Sequence, residues 1–176
     1  VGARFAREGY HAVLCRRSDE AGLARLVADI EAEGGAASGR LLDATQDGAI
    51  ETLIEDVARD IGPIAVIVFN LGAQIGNRAL VETSYKQFEL GWRMATFALF
   101  RVASAALPLM AARGEGSLLV TSATAAVRGN AGQHSHAAAM GGRRMLCQTL
   151  NAEFAPQGIH VAHIVIDGTV DAPDTL

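Results

Sequence analysis

Lysine occurs once in 176 residues, at Lys86, tyrosine twice, at Tyr10 and Tyr85, and cysteine twice, at Cys15 and Cys147. Two thiols so far apart, one at a predicted strand end and one inside a predicted helix, exclude a disulfide framework and read as buried thiols in a reducing compartment. The net charge is −4 and no run of like charges exceeds two or three residues, which excludes a cationic surface for nucleic acid or an anionic membrane. No apolar run approaches the roughly 18 to 20 residues that span a bilayer, and the N-terminus carries no charged-then-apolar signal pattern. The expectations are no nucleic-acid partner, no membrane association and a cytoplasmic location. Internal repeats, linkers and low-complexity segments are also lacking.

Half of the residues are hydrophobic and 19% are charged. At this length such a chain buries about 70% of its unfolded surface, so a single domain over 1–176 is expected. Residues 1–9, VGARFAREG, read as the rear of a helix closed by Gly9, and YHAVLC at 10–15 as a short apolar strand. The chain thus opens in mid-element. Ser18 is the expected N-cap of a helix over SDEAGLARLVADIEAEGG, in which Leu23, Leu26, Val27 and Ile30 recur at helical spacing before Gly34-Gly35. A strand near 36–42, a helix from Asp47 to Asp60 and the continuous apolar strand IAVIVFN at 64–70 follow.

A long helical stretch from Thr83 to Arg113 leads to the strand SLLVTS at 117–122, a helix over 134–154 and the strand HVAHIVI at 160–166. Short connections between such units require parallel strands and right-handed crossovers. The fold class is α/β, a Rossmann-like doubly wound parallel sheet with helices on both faces. His160 and His163, three apart in the last strand, read as satisfied sheet histidines rather than ligands. Trp92, Met94, Phe97, Leu99 and Phe100 read as core or interface.

In open parallel sheets the ligand lies outside the carboxyl ends of the strands. Those ends are Cys15-Arg16-Arg17, Asp43, Asn70-Leu71-Gly72-Ala73, Thr121-Ser122-Ala123 and Asp167-Gly168. A cation after the second strand of such a sheet favours a ribose 2′-phosphate, where an acidic residue would favour the ribose hydroxyls. Arg16 and Arg17 are candidates for that contact, or else keep a loop in solvent. Glycine at 72 permits close approach of the backbone to a ligand, although a plain strand-end turn needs the same residues.

LLDAT at 41–45, NLGA at 70–73, ALPLM at 106–110, RGNAG at 128–132 and GIHVAHIVIDG at 158–168 follow one another in an order and spacing that resemble the short-chain dehydrogenase/reductase family over nearly the whole chain. The resemblance implies an oxidoreductase that transfers a hydride between NAD(P) and a small alcohol or carbonyl, with NADP implied over NAD by Arg16 and Arg17. It implies cofactor contacts from Asp43 to the adenine, with a turn or N-cap aspartate as the alternative, and from Asn70, Leu71 and Gly72. It also implies a homo-oligomer, dimer or tetramer, through the long helix and the one after it. The family's opening strand and glycine-rich turn have no counterpart, since Val1 to Phe5 match the helix that follows the turn; the last strand is likewise missing. A piece of a longer chain with two half-sheets is therefore expected.

The same resemblance makes the segment SATAAVRGNAGQHSHAAAMGGRRML, 122–146, informative. Family members use a tyrosine to exchange the proton, a lysine four residues later to lower its pKa, a serine to polarise the substrate oxygen, and an asparagine to organise a water relay. Neither Tyr10 nor Tyr85 has a lysine four residues on. In the family's register His136 stands at the tyrosine position, Met140 at the lysine position, Ala123 at the serine position with Ser122 beside it, and Ala95 at the asparagine position. His136 can exchange a proton near neutral pH, and Arg144 is the candidate to replace the lost charge. The alternative is that His134 and His136 are partly exposed polar residues in a helix's first turn, without metal. Three readings follow: an NADP-dependent oxidoreductase working through substitute residues such as His136 and Ser122, a non-catalytic nucleotide-binding relative, and a scaffold that binds no nucleotide.

Overall fold

The computed structural model describes residues 1–72 and 76–168; Ala73 of the NLGA stretch and the segment from 169 lie outside the described residues. The chain packs as two compact units, Val1–Pro63 and Ile64–Leu176.

The first unit runs α1 (Gly2–Arg7), β1 (His11–Arg16), α2 (Glu20–Ala32), β2 (Ala36–Leu41) and α3 (Ala49–Asp60). Strands β1 and β2 are parallel, in register from His11 opposite Ala36 to Arg16 opposite Leu41. Ala6, Ala12, Ile30 and Ala37 form the buried centre, with Leu14 and Val27 packed against it. The alanines among them let α1 and α2 approach the sheet closely. The cap of α2 is Asp19, not Ser18: its carboxylate accepts the Gly22 amide at 2.9 Å while its other oxygen holds Arg16. A carboxylate can serve both partners at once, which a hydroxyl cannot, and that favours the shift by one residue.

The second unit runs β3 (Val66–Phe69), α4 (Tyr85–Trp92), a π-helical turn (Arg93–Phe97), α5 (Ala98–Ala111), β4 (Gly116–Ala123), α6 (His134–Phe154) and β5 (Ile159–Ile166), with 3₁₀ turns at Leu80–Glu82, Thr124–Ala126 and Ala155–Gln157. Strands β3, β4 and β5 form a parallel sheet with β4 central. Leu118 and Val120 of β4 are fully enclosed, as expected of a strand covered on both faces. Among the described residues the strands thus fall into a two-stranded and a three-stranded parallel sheet, in keeping with the α/β expectation.

The predicted helix over 83–113 is one helical run interrupted by the π turn. Contrary to the expectation that no segment is long and apolar enough for a bilayer, Tyr85–Ala111 meets that measure by length and composition. Counting uninterrupted apolar residues missed it, because Arg93 and Arg101 divide the run. Its Ala98, Leu99, Ala103, Ala106, Leu107 and Met110 are buried within the unit, as in a core helix. Each fully buried leucine there contributes roughly 2 kcal/mol. Entry to β5 needs Gly158: its φ is +82°, and a side chain would overlap the Gly114 carbonyl. Of the two free thiols only Cys147 is buried; Cys15 is exposed, near the open end of β1.

Candidate functional site

In the first unit the carboxyl ends of β1 and β2 are tied together by the Leu42 amide, which donates to the Arg16 carbonyl at 2.8 Å. That bond sets Leu42-Asp43 beside Arg16-Arg17. Arg16 is engaged by Asp19. Arg17 is exposed and has no hydrogen-bond or ion-pair partner among the described residues. Asp43 makes a turn: its Oδ1 accepts both the Thr45 amide at 2.9 Å and the Thr45 hydroxyl at 2.6 Å. Those two bonds, helped by the charge of Arg17, hold its carboxyl below the usual range. Asp43 also borders an open cleft of about 440 Å³ with Arg40, Gln46 and Thr52.

In the second unit the end of β3 is held to β4 by the Thr121 hydroxyl, which donates to the Asn70 side-chain oxygen at 2.5 Å. Gly72 is exposed, with open space where a side chain would begin. On the other face of β4, Ser122 is buried, and its hydroxyl faces the Met140 sulfur at 3.7 Å. Met140 joins Ala95, Ala125, Ala126 and Ala139 in an apolar cluster. The π turn lies against α6, where the Thr96 hydroxyl donates to the Ala139 carbonyl at 2.8 Å. His136 is 8% exposed, so it is not the partly exposed polar residue of the alternative reading, whereas His134 is half-buried. Placement on the face that α6 turns inward, beside Ser135 and Ala139, accounts for the burial.

The arginine that enters this site is Arg143, not Arg144. Its side chain is 1% exposed. Nε donates to the Ala95 carbonyl at 3.2 Å, Nη1 to Thr121 at 2.8 Å and Nη2 to Leu71 at 2.7 Å, while the guanidinium lies 4.9 Å from the centre of the Phe69 ring. Burial pushes its pKa down to about 10, which leaves it charged at neutral pH. Desolvation likewise raises the Cys147 thiol one turn on, to about 11, against the pull of Arg143. His163 departs from the satisfied sheet histidine expected: its Nε2 is buried without a hydrogen-bond partner among the described residues. Burial, then the charges of Arg143 and Arg144, hold it below its ordinary pKa.

A family profile described as enoyl-(acyl carrier protein) reductase matches residues 1–175. The chain belongs to the short-chain dehydrogenase/reductase family. Among curated relatives, 4-formylbenzenesulfonate dehydrogenase TsaC1/TsaC2 of Comamonas testosteroni is 27% identical, over 87% of this chain and 66% of its own. The 3-oxoacyl-[acyl-carrier-protein] reductase FabG of Thermotoga maritima is 28% identical, over 97% and 68%. This short-chain dehydrogenase/reductase domain therefore spans about two thirds of those relatives' lengths. Among solved structures, a short-chain dehydrogenase from Rhodopseudomonas palustris is similar at TM-score 0.89 and 36% identity, over 99% of this chain and 79% of that one. A gluconate 5-dehydrogenase from Burkholderia cenocepacia J2315, in complex with NADP and tartrate, is similar at TM-score 0.85 and 25% identity, over 94% and 64%.

Within this family member, the structure brings together Asn70 with Thr121, Ser122 with Met140, and Arg17 with Asp43. Arg16, Arg17 and Asp43 belong to the first unit; Asn70, Leu71, Gly72, Ser122 and His136 belong to the second. Among the described residues, no group of three or more His, Cys, Asp or Glu is gathered as for a metal ion. Sequence reasoning missed Arg143, although a signal existed. Met140, Arg143, Cys147 and Leu150 share the buried stripe of α6 at spacings of three and four, so the helical period points residue 143 inward and carries 144 toward the edge.

Proposed function

We propose that this domain binds NADP(H) and serves an oxidoreductase that interconverts a small alcohol and a carbonyl by hydride transfer. The observation that carries the choice of cofactor is Arg17, an exposed cation without a partner among the described residues, at the carboxyl end of β1 beside Asp43. The residues present suit a phosphorylated ribose and a base: Arg17 supplies a planar cation for a 2′-phosphate, Asp43 keeps a second carboxylate oxygen for an amino group, and Gly72 leaves its backbone open. When bound, the cofactor would supply the hydride in its reduced form and accept it in its oxidised form. The contacts proposed for it are Arg17 and Asp43 in the first unit and, separately, the Asn70–Gly72 backbone in the second, where His136 is the residue proposed to exchange a proton with the substrate oxygen. The NADP complex of the gluconate 5-dehydrogenase neighbour supports the same cofactor class. A cytoplasmic homo-oligomer, dimer or tetramer, completes the reading.

A second reading, a nucleotide-binding relative without turnover, is favoured by the apolar cluster around Ala95 and Met140, with the Ser122 hydroxyl turned to the Met140 sulfur. Titration of NADPH and NADH by cofactor fluorescence, followed by a screen of carbonyl substrates with wild type and His136→Ala, separates the readings. Preferential NADPH binding with turnover lost in His136→Ala is the expected result. Binding without turnover leaves the second reading, and no binding of either nucleotide removes both.

A further inference from the structure

The carbonyls of Leu71, Thr121 and Ala95 come from three different elements: the segment after β3, strand β4 and the π turn. All three point at one side chain of a fourth element, Arg143 of α6. A guanidinium is planar and donates in fixed directions, so three such bonds set three backbone segments at set angles to one another, which a flexible ammonium cannot do. The π turn widens the helix where the Ala95 carbonyl is offered, and such turns concentrate at functional sites. The charge is met by carbonyl dipoles and the Phe69 ring, with no carboxylate in contact among the described residues. A carboxylate there would hold one arginine, whereas carbonyl ligands make the arginine hold the backbone.

We infer that Arg143 is the positioning residue of the site: through the Leu71 carbonyl it fixes the Asn70–Gly72 backbone, and through the Thr121 and Ala95 carbonyls it keys that backbone to β4 and the π turn. The inference rests on the proposed nucleotide site for its consequence in binding, but not for its consequence in the free protein. It also separates Arg143 from Arg113, which donates to the Ile64 carbonyl ahead of β3, away from the strand ends.

The test uses the full chain as wild type, Arg143→Ala, Arg143→Lys and, as a control, Arg113→Lys. Amide hydrogen exchange without nucleotide is expected to quicken by about tenfold or more in both Arg143 variants at residues 71–72, 95–97 and 121–122, with the rest of the protein unchanged. NADPH binding is expected to weaken by about tenfold or more in both, and methylguanidinium, but not methylammonium, to restore it in Arg143→Ala. Arg113→Lys is expected to match wild type in both measurements. Binding within about twofold of wild type, or exchange that is unchanged or quickened throughout the protein, overturns the positioning role. If Arg143→Ala does not fold, Arg143→Lys decides by the same two criteria. Should the wild type itself fail to bind NADPH, the proposed function falls and the exchange pattern alone decides the role of Arg143.

Discussion

The hydroxyl of Ser122 donates to the sulfur of Met140 at 3.7 Å, so β4 and α6 meet through a weak hydrogen bond at the position where the family resemblance places a lysine. Around that contact the surroundings are alanines, and the nearest charge on the buried stripe of α6 is Arg143, one turn away.

Restoring the lysine alone is therefore expected to harm the protein. Met140→Lys would bury an ammonium in a site 4% exposed, within one turn of a second buried cation. A loss of about 3 kcal/mol in denaturant unfolding is expected. Unchanged stability would mean that the Ser122 hydroxyl suffices to solvate the new charge, which would undo this reading of the cluster.

Close packing of α4 on α6 predicts a second result. A side chain on Gly91 would overlap the Ser135 hydroxyl, which donates to the Phe88 carbonyl at 3.0 Å. Gly91→Ala should gain helix propensity yet lose about 1–2 kcal/mol overall, because the serine must turn away from its acceptor. Adding Ser135→Ala should return part of that loss, and a double-mutant cycle measures it. Additive losses would show that the two residues do not compete for the same space.

The half-buried His163, whose Nε2 is enclosed, predicts a pH dependence. Its folded pKa lies below the ordinary 6.5, so between the two values the unfolded chain binds more protons and stability falls as the pH is lowered through 6.5; the loss is complete below the folded value. Melting temperatures measured from about pH 7.5 down to about pH 5 should fall more steeply for wild type than for His163→Gln. Parallel curves would assign the acid sensitivity to other groups. Asp19 and Asp43 work in the same direction at lower pH. Their lowered pKa values add stability that is present above the ordinary 3.8 and lost as the pH falls below it.

Replacing the exposed cation at β1 should change cofactor choice and little else. Arg17→Ser is expected to weaken NADPH binding by about tenfold while leaving NADH binding and the melting temperature near wild type. Arg16→Ser should disturb α2 as well, because Arg16 is tied to the Asp19 that caps it. Equal losses for both nucleotides in Arg17→Ser would remove the 2′-phosphate assignment.

Much of the fold was legible because periodicity survives without an alignment. The continuous apolar strand ending at Asn70 and the helical spacing from Leu23 to Ile30 both emerged within a residue or two. The cap of α2 was misplaced by one residue because Ser18 and Asp19 both suit the position, and the choice depends on Arg16 arriving from the preceding strand. The side to which residues 143 and 144 turn was legible only in part. On one helix, positions three and four beyond Met140 lie on either side of it, and neighbouring elements decide which is enclosed.

By itself the sequence determined the alternation of strands and helices, the family, and the absence of a tyrosine with a lysine four residues on, since these depend on residue type and spacing along the chain. Only the tertiary structure decided that Arg16 is occupied while Arg17 is exposed, that Asp43 closes a turn, and that Ser122 turns to Met140. It alone decided that Arg143 gathers the carbonyls of Leu71, Thr121 and Ala95. The reason is physical: those carbonyls are carried by residues whose side chains say nothing about where their backbone oxygens point. A guanidinium finds them only when β3, β4 and the π turn have been packed around α6.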